Sequence, residues 1–184
     1  MRDEFGWERE VLAKSPEASE ILTMEDVAKR RKERNDAVSN LSPTEVLAQL
    51  KAGNSRFWTG AAQRPELSAM ERRQLILQQT PKVAVLGCAD SRVPVEIVFD
   101  QGLGDIFAVR VAGNFFGDTV AGSLDYAVHH LHVPLVVVLG HEGCGAVKAA
   151  RLSDEEHDQE PPKLKKILQV HHLPYLSLAH TQRT

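Results

Sequence analysis

The sequence predicts an α/β fold, a mainly parallel β-sheet flanked by helices with an N-terminal helical extension. Two observations carry this. The runs Val83-Ala84-Val85-Leu86-Gly87 and Leu135-Val136-Val137-Val138-Leu139-Gly140 are short, apolar and rich in β-branched residues, each with a proline upstream and a glycine at its end. That is the pattern of strands buried on both faces of a parallel sheet. Ile106 to Val109 adds a third strand. Between it and the last run, Asp118 to His132 places Val120, Leu124, Val128 and Leu131 at helical spacing. Strand, crossover helix and strand make a βαβ unit.

The remaining elements are taken in chain order. Residues 1–40 are dense in both charge signs and thin in apolar residues, which predicts a charged extension, partly helical and partly mobile. Its basic run, Lys29-Arg30-Arg31-Lys32, is diluted by Glu33 and Asp36 and reads as a solvated helix face. Residues 41–152 form the main domain. Ser42-Pro43-Thr44-Glu45 opens a helix: Ser42 caps it, Pro43 suits the first turn and Glu45 completes a capping box. Val46, Leu47 and Leu50 give this helix an apolar face, and Gly53 is the expected stop. A second helix is expected over Ser68 to Gln79, ending before Pro81. In residues 153–184, the acidic stretch Asp154 to Pro162 reads as an exposed loop, Lys163 to Val170 as a short helix, and no further buried strand is expected.

Bulk properties narrow the function. The chain has 184 residues, 42% hydrophobic and 26% charged, which fits one soluble domain with a real core. A formal net charge of −3 gives no reason to expect nucleic acid as a partner. The longest apolar run, near Val133 to Gly140, is far too short to span a membrane. The acidic start, Met1-Arg2-Asp3-Glu4, does not read as a secretory signal and is rich in acids for a transit peptide, so a cytoplasmic location is the default expectation, with organellar targeting the alternative. A reducing compartment also suits free thiolates.

Both cysteines of the chain fall in a metal-ligand pattern. One half is Cys88-Ala89-Asp90-Ser91-Arg92 and the other is His141-Glu142-Gly143-Cys144. Two thiolates, one imidazole and an optional carboxylate form a soft, small donor set that suits Zn2+. Three protein ligands and a water would make a catalytic site, whereas four would close it. Asp90 decides between these. Cys88 directly follows one predicted parallel strand and His141 another, and ligand sites of open α/β sheets gather at the carboxyl ends of strands.

Together these strings resemble the zinc signature of β-class carbonic anhydrases. The likeness extends through Gly87-Cys88-Ala89-Asp90-Ser91-Arg92-Val93-Pro94, Val109-Arg110-Val111-Ala112-Gly113-Asn114 and Gly140-His141-Glu142-Gly143-Cys144-Gly145-Ala146-Val147. It implies that Cys88, His141 and Cys144 bind zinc and that Asp90 and Arg92 form a catalytic dyad. Asp90 would either pair with Arg92 or ligate the zinc and close the site. Gln101, in Phe99-Asp100-Gln101-Gly102, matches a glutamine that holds substrate or bicarbonate. The backbone N–H of Gly145, at an expected helix start, is a second donor. Val85 stands where some members carry the tryptophan of a non-catalytic bicarbonate pocket, so that pocket is not expected here.

The implied reaction is the reversible hydration of carbon dioxide to bicarbonate and a proton. Hydrolysis of carbon disulfide or carbonyl sulfide on the same scaffold is an alternative, as is a non-catalytic zinc-binding subunit. Residues 153–184 do not resemble the family's usual ending, which continues into another strand; an atypical, truncated tail with an incomplete sheet edge is therefore expected. The resemblance further implies a homodimer or tetramer. Leu41 to Phe57 would supply the wrapping helix, Phe57 and Trp58 would anchor the interface, and Phe115 and Phe116 would need cover. The other histidines (His129, His130 and His132 at a helix end, His157, His171, His172 and His180 in the tail) lack ligand spacing and are expected to be structural or exposed.

Overall fold

The computed structural model describes residues 24–76 and 78–169. Helix α1 (Met24–Ser39) belongs to the charged extension and packs on α3 (Ala69–Leu75). Between them lies α2 (Pro43–Thr59). Then come β1 (Val83–Cys88), α4 (Val95–Val98), β2 (Ile106–Val111) and a 3-10 turn (Ala112–Asn114). Helix α5 (Asp118–His129) leads to β3 (Val136–Leu139), followed by α6 (Gly145–Ala149), α7 (Asp154–Asp158) and α8 (162–169).

The three strands run parallel in the order β2-β1-β3. Strand β1 is central, and each of its six residues is buried. Its pairing runs from Val83 opposite Ile106 to Cys88 opposite Val111, and from Ala84 opposite Val136 to Gly87 opposite Leu139. Alternation of side chains splits the core into two layers. Val83 and Val85 meet Val46 and Leu50 of α2, with Val95, Phe99 and Ile106. Ala84 faces the other way, onto Ala127 of α5 and Val133, with Phe107, Leu124 and Leu131 around them.

Helix α2 begins as its sequence dictates. Ser42 Oγ accepts the Glu45 amide, the Glu45 carboxylate accepts the Ser42 amide, and Pro43 occupies the first turn. Gly53 does not stop it. The helix runs six residues further to Thr59 and ends on Gly60, which has φ 73°. Gly53 is buried instead at a close approach: a Cβ there would lie 1.8 Å from the carbonyl oxygen of Phe99. The second helix is also shorter than expected. It starts on Ser68, which forms a capping box with Glu71, but ends at Leu75.

Two further expectations are corrected. Strand β3 is not buried on both faces: Val136 is 39% and Val138 66% exposed. Helix α5 packs on β1 and β2 and leaves the outer residues of β3 open. The stretch from Asp154 is not wholly an exposed loop. Ser153 and Glu156 form a capping box that starts α7, and His157 within it is 2% exposed. The other tail histidines, His171, His172 and His180, lie outside the described residues. Among the described residues, no helix is long and apolar enough to cross a membrane.

Candidate active site and metal centre

The carboxyl ends of β1 and β3 lie side by side in the sheet, and the two half-patterns leave from them. Cys88 is the last residue of β1. His141 follows β3 by two positions, and Cys144 caps the N-terminus of α6. One donor atom from each of Cys88, His141 and Cys144 lies within 4.8 Å of the others, and the two sulfurs are 3.9 Å apart. Sequence-distant residues therefore converge because adjacent parallel strands end at one edge.

The donor atoms are prepared for a cation. The Nδ1 of His141 is 3.1 Å from the carbonyl oxygen of Glu142. A carbonyl only accepts, so Nδ1 carries the proton and Nε2 keeps its lone pair. That Nε2 is buried and has no hydrogen-bond partner among the described residues. An orphaned buried nitrogen costs stability unless something binds it, and two sulfurs with one imidazole nitrogen are the donors zinc prefers. The residues fit a zinc ion. The Cys88 sulfur also accepts the amides of Gly113 (3.3 Å) and Asp90 (3.4 Å). Burial pushes the Cys88 thiol up, but those amides, with His141 and Cys144, outweigh it and hold the thiol below its ordinary value. Gly113, at φ 65°, supplies the left-handed turn from which its amide reaches the sulfur.

Asp90 is turned to Arg92. Nε of Arg92 donates to Oδ1 at 2.9 Å and Nη2 to Oδ2 at 2.7 Å, and the Arg92 amide donates to Oδ1 at 2.9 Å. The Arg92 side chain first, then its amide, hold the Asp90 carboxyl well below the usual carboxylate range. The same Nη2 reaches the carbonyl of Gly143 at 3.2 Å, which ties the first loop to the second. Asp90 is not a member of the three-donor group.

Gln101 is placed differently. Its amide donates to the carbonyls of Phe99 (2.8 Å) and Asp100 (3.1 Å), beside Gly53 of α2. No hydrogen bond joins it to the cluster among the described residues. Gly145 opens α6, and a Cβ at that position would meet nothing within 4 Å, so its backbone borders open space.

Three contributors were not singled out from the sequence. Arg110 of β2 donates Nε to the carbonyl of Cys88 (2.9 Å) and Nη2 to the carbonyl of Asp90 (2.7 Å). A charged residue inside an otherwise apolar strand was the available signal. Asn114, at φ 57°, donates to the carbonyls of Leu86 and Leu139 and so bridges β1 to β3 just below the donors. Asp100 is buried and accepts from Arg56 Nε (2.6 Å) and the amides of Gln63 (3.0 Å) and Arg64 (2.8 Å).

Comparison with known proteins gives the family. A family model for carbonic anhydrase matches residues 83–183, more than half of the chain. The chain belongs to the β-class carbonic anhydrase family. It is 52% identical over 111 residues to "Carbonic anhydrase 2" of Mycobacterium tuberculosis, covering 60% of this chain and 54% of that protein. It is 51% identical over 110 residues to the carbonic anhydrase of Mycolicibacterium smegmatis, covering 60% and 53%. The chain spans about half the length of the curated relatives it matches. Among solved structures, the β-carbonic anhydrase CafA of Aspergillus fumigatus aligns with a TM-score of 0.53 at 28% identity, over 75% of this chain and 64% of that one. The match to the family model starts at Val83, the first residue of β1.

Proposed function

We propose that this chain is a zinc lyase that interconverts carbon dioxide and bicarbonate with release of a proton. The observation that carries this reading is the convergence of the Cys88, His141 and Cys144 donors within 4.8 Å, next to a carboxylate that Arg92 holds away from them. Those three residues would hold the zinc. A zinc ion there supplies the Lewis acidity that lets water act as a nucleophile near neutral pH.

The chain's own groups do the rest. Asp90, kept ionised by Arg92, is an acceptor without a proton of its own. It orients the attacking water by accepting one of its hydrogens, which aims an oxygen lone pair at the substrate carbon. Arg92 keeps Asp90 out of the donor set, so Cys88, His141 and Cys144 alone would hold the zinc, as in a catalytic rather than a closed site. The Gly145 amide, at the start of α6, is assigned to an oxygen of the substrate. Gln101 is assigned a substrate-holding role by resemblance, and it acts there only if its amide leaves the Phe99 and Asp100 carbonyls.

We assign the chain to a homodimer, with further pairing to a tetramer. Trp58 is 77%, Phe116 60% and Val138 66% exposed, and large apolar side chains left open in this way favour a covering partner. A cytoplasmic location suits its two free cysteines. The test is turnover of carbon dioxide, carbonyl sulfide and carbon disulfide by purified protein of known zinc content. Hydration of carbon dioxide well above the other two supports the lyase. Preference for a sulfur substrate identifies a hydrolase, and zinc-loaded protein inactive on all three identifies a non-catalytic subunit.

A further inference from the structure

Helix α6 carries the third donor of the cluster, yet none of its side chains is buried. Cys144 is its N-cap, and the Lys148 amide bonds the Cys144 carbonyl at 3.0 Å, which ties the five-residue helix to its cap. Its far end is Ala149. The carbonyl of Ala149 accepts the Leu152 amide at 3.0 Å and lies 3.0 Å from Nε2 of His157. A carbonyl has two lone pairs and no proton, so His157 is the donor.

His157 is itself fixed. It is 2% exposed, its amide bonds the Ser153 carbonyl at 2.9 Å, and α7 is locked by the Ser153–Glu156 capping box. A buried imidazole on a capped helix thus grips the end of a short helix whose own residues are not buried, beside the buried Ala150 that follows it.

We propose that His157 is a positioning residue for Cys144: it holds α6 through the Ala149 carbonyl and so sets where the Cys144 sulfur stands relative to Cys88 and His141. The inference rests on the zinc reading above. Groups that orient ligands from outside the donor set change metal affinity without touching the metal. Here the grip comes from the acidic stretch after the second half-pattern, so residues 153–158 become part of the construction of the site.

The test compares His157→Leu, which keeps bulk but removes the donor, with His157→Gln, whose amide nitrogen can reach the same carbonyl. Zinc release to a chelator and the thiolate charge-transfer band of the cobalt(II)-loaded protein are the readouts. Val46→Ala, in the α2 core, controls for lost stability. His157→Leu is expected to release zinc ~10-fold faster and to shift the cobalt band, while His157→Gln and Val46→Ala stay within about twofold of the parent. If His157→Leu fails to fold, His157→Asn, whose amide stops short of the Ala149 carbonyl, takes its place with the same expectation. Unchanged release and band in the donor-free variant overturn the inference alone, as does equal acceleration in Val46→Ala. A parent chain that takes up no cobalt or zinc overturns the metal reading and this inference with it.

Discussion

Arg92 grips Asp90 with both prongs of its guanidinium, Nε on Oδ1 at 2.9 Å and Nη2 on Oδ2 at 2.7 Å. This pair keeps a carboxylate ionised beside the thiol donors and also keeps it from joining them. The two residues should therefore act as one unit. Asp90→Ala and Arg92→Ala should each lower kcat/KM by roughly 10²-fold or more, the scale of a lost acid–base group. Asp90→Ala should keep its zinc. The double variant should lose little beyond either single one, because residues that work together are not additive. Multiplying losses in the double variant would show two independent roles.

Arg110 should matter although it does not reach the donors. It satisfies the backbone carbonyls of Cys88 and Asp90 from β2. Arg110→Met keeps much of the stem and removes the donors, leaving partly buried carbonyls short of a partner at a cost of about 1–3 kcal/mol. Both urea midpoint and activity should fall. Unchanged stability would mean that water replaces the guanidinium freely.

Gly53 reverses an ordinary rule. An exposed mid-helix glycine gains about 1 kcal/mol when replaced by alanine. Here the added Cβ would lie 1.8 Å from the Phe99 carbonyl oxygen, so α2 must move off the loop that carries Asp100 and Gln101. Gly53→Ala should destabilise by about 1–3 kcal/mol or more, the range of an overpacked core. A thermal midpoint equal to or above the parent's would contradict the close packing.

Asp100 gives the fold an acid-sensitive joint. The amide of Gln63, the Arg56 side chain and the amide of Arg64 together hold its carboxyl down to about 2, from an ordinary value of 3.8. A depressed carboxyl lends stability that is complete above its unfolded value and is lost as pH falls through its folded one. That contribution should therefore fade between pH 3.8 and about 2. Asp100→Asn should be less stable at neutral pH and should show a shallower loss in that window by circular dichroism. Identical acid profiles for the two proteins would remove Asp100 from this role.

The elements with a strong local pattern could be read from the chain. Strand β1 announced itself by an unbroken apolar run, α2 by its capping box, and α5 by Val120 and Leu124 at helical spacing, although Val128 of the same pattern is 41% exposed and Leu131 lies beyond the helix end at His129. The meeting of Cys88, His141 and Cys144 could be anticipated because each half follows an apolar run closed by a glycine, Gly87 or Gly140. The features that could not be read depend on partners far along the chain. Gly53 resembles a helix stop until the Phe99 carbonyl is seen against it. Asp100 becomes a hub only when Arg56 and the amides of Gln63 and Arg64 arrive. Strand β3 has the composition of a buried strand, but neighbours decide burial, and α5 lies over β1 and β2 instead. His157 looked like one more tail histidine because nothing local marks the Ala149 carbonyl as its partner.

The most direct measurement is zinc content and stopped-flow carbon dioxide hydration on the same samples of the parent chain and Cys144→Ser. The parent should hold about one zinc per chain and hydrate carbon dioxide, and the variant should lose both metal and activity, since binding needs all three donors. Full zinc occupancy in Cys144→Ser, or a fully zinc-loaded parent that does not hydrate carbon dioxide, would contradict the assignment.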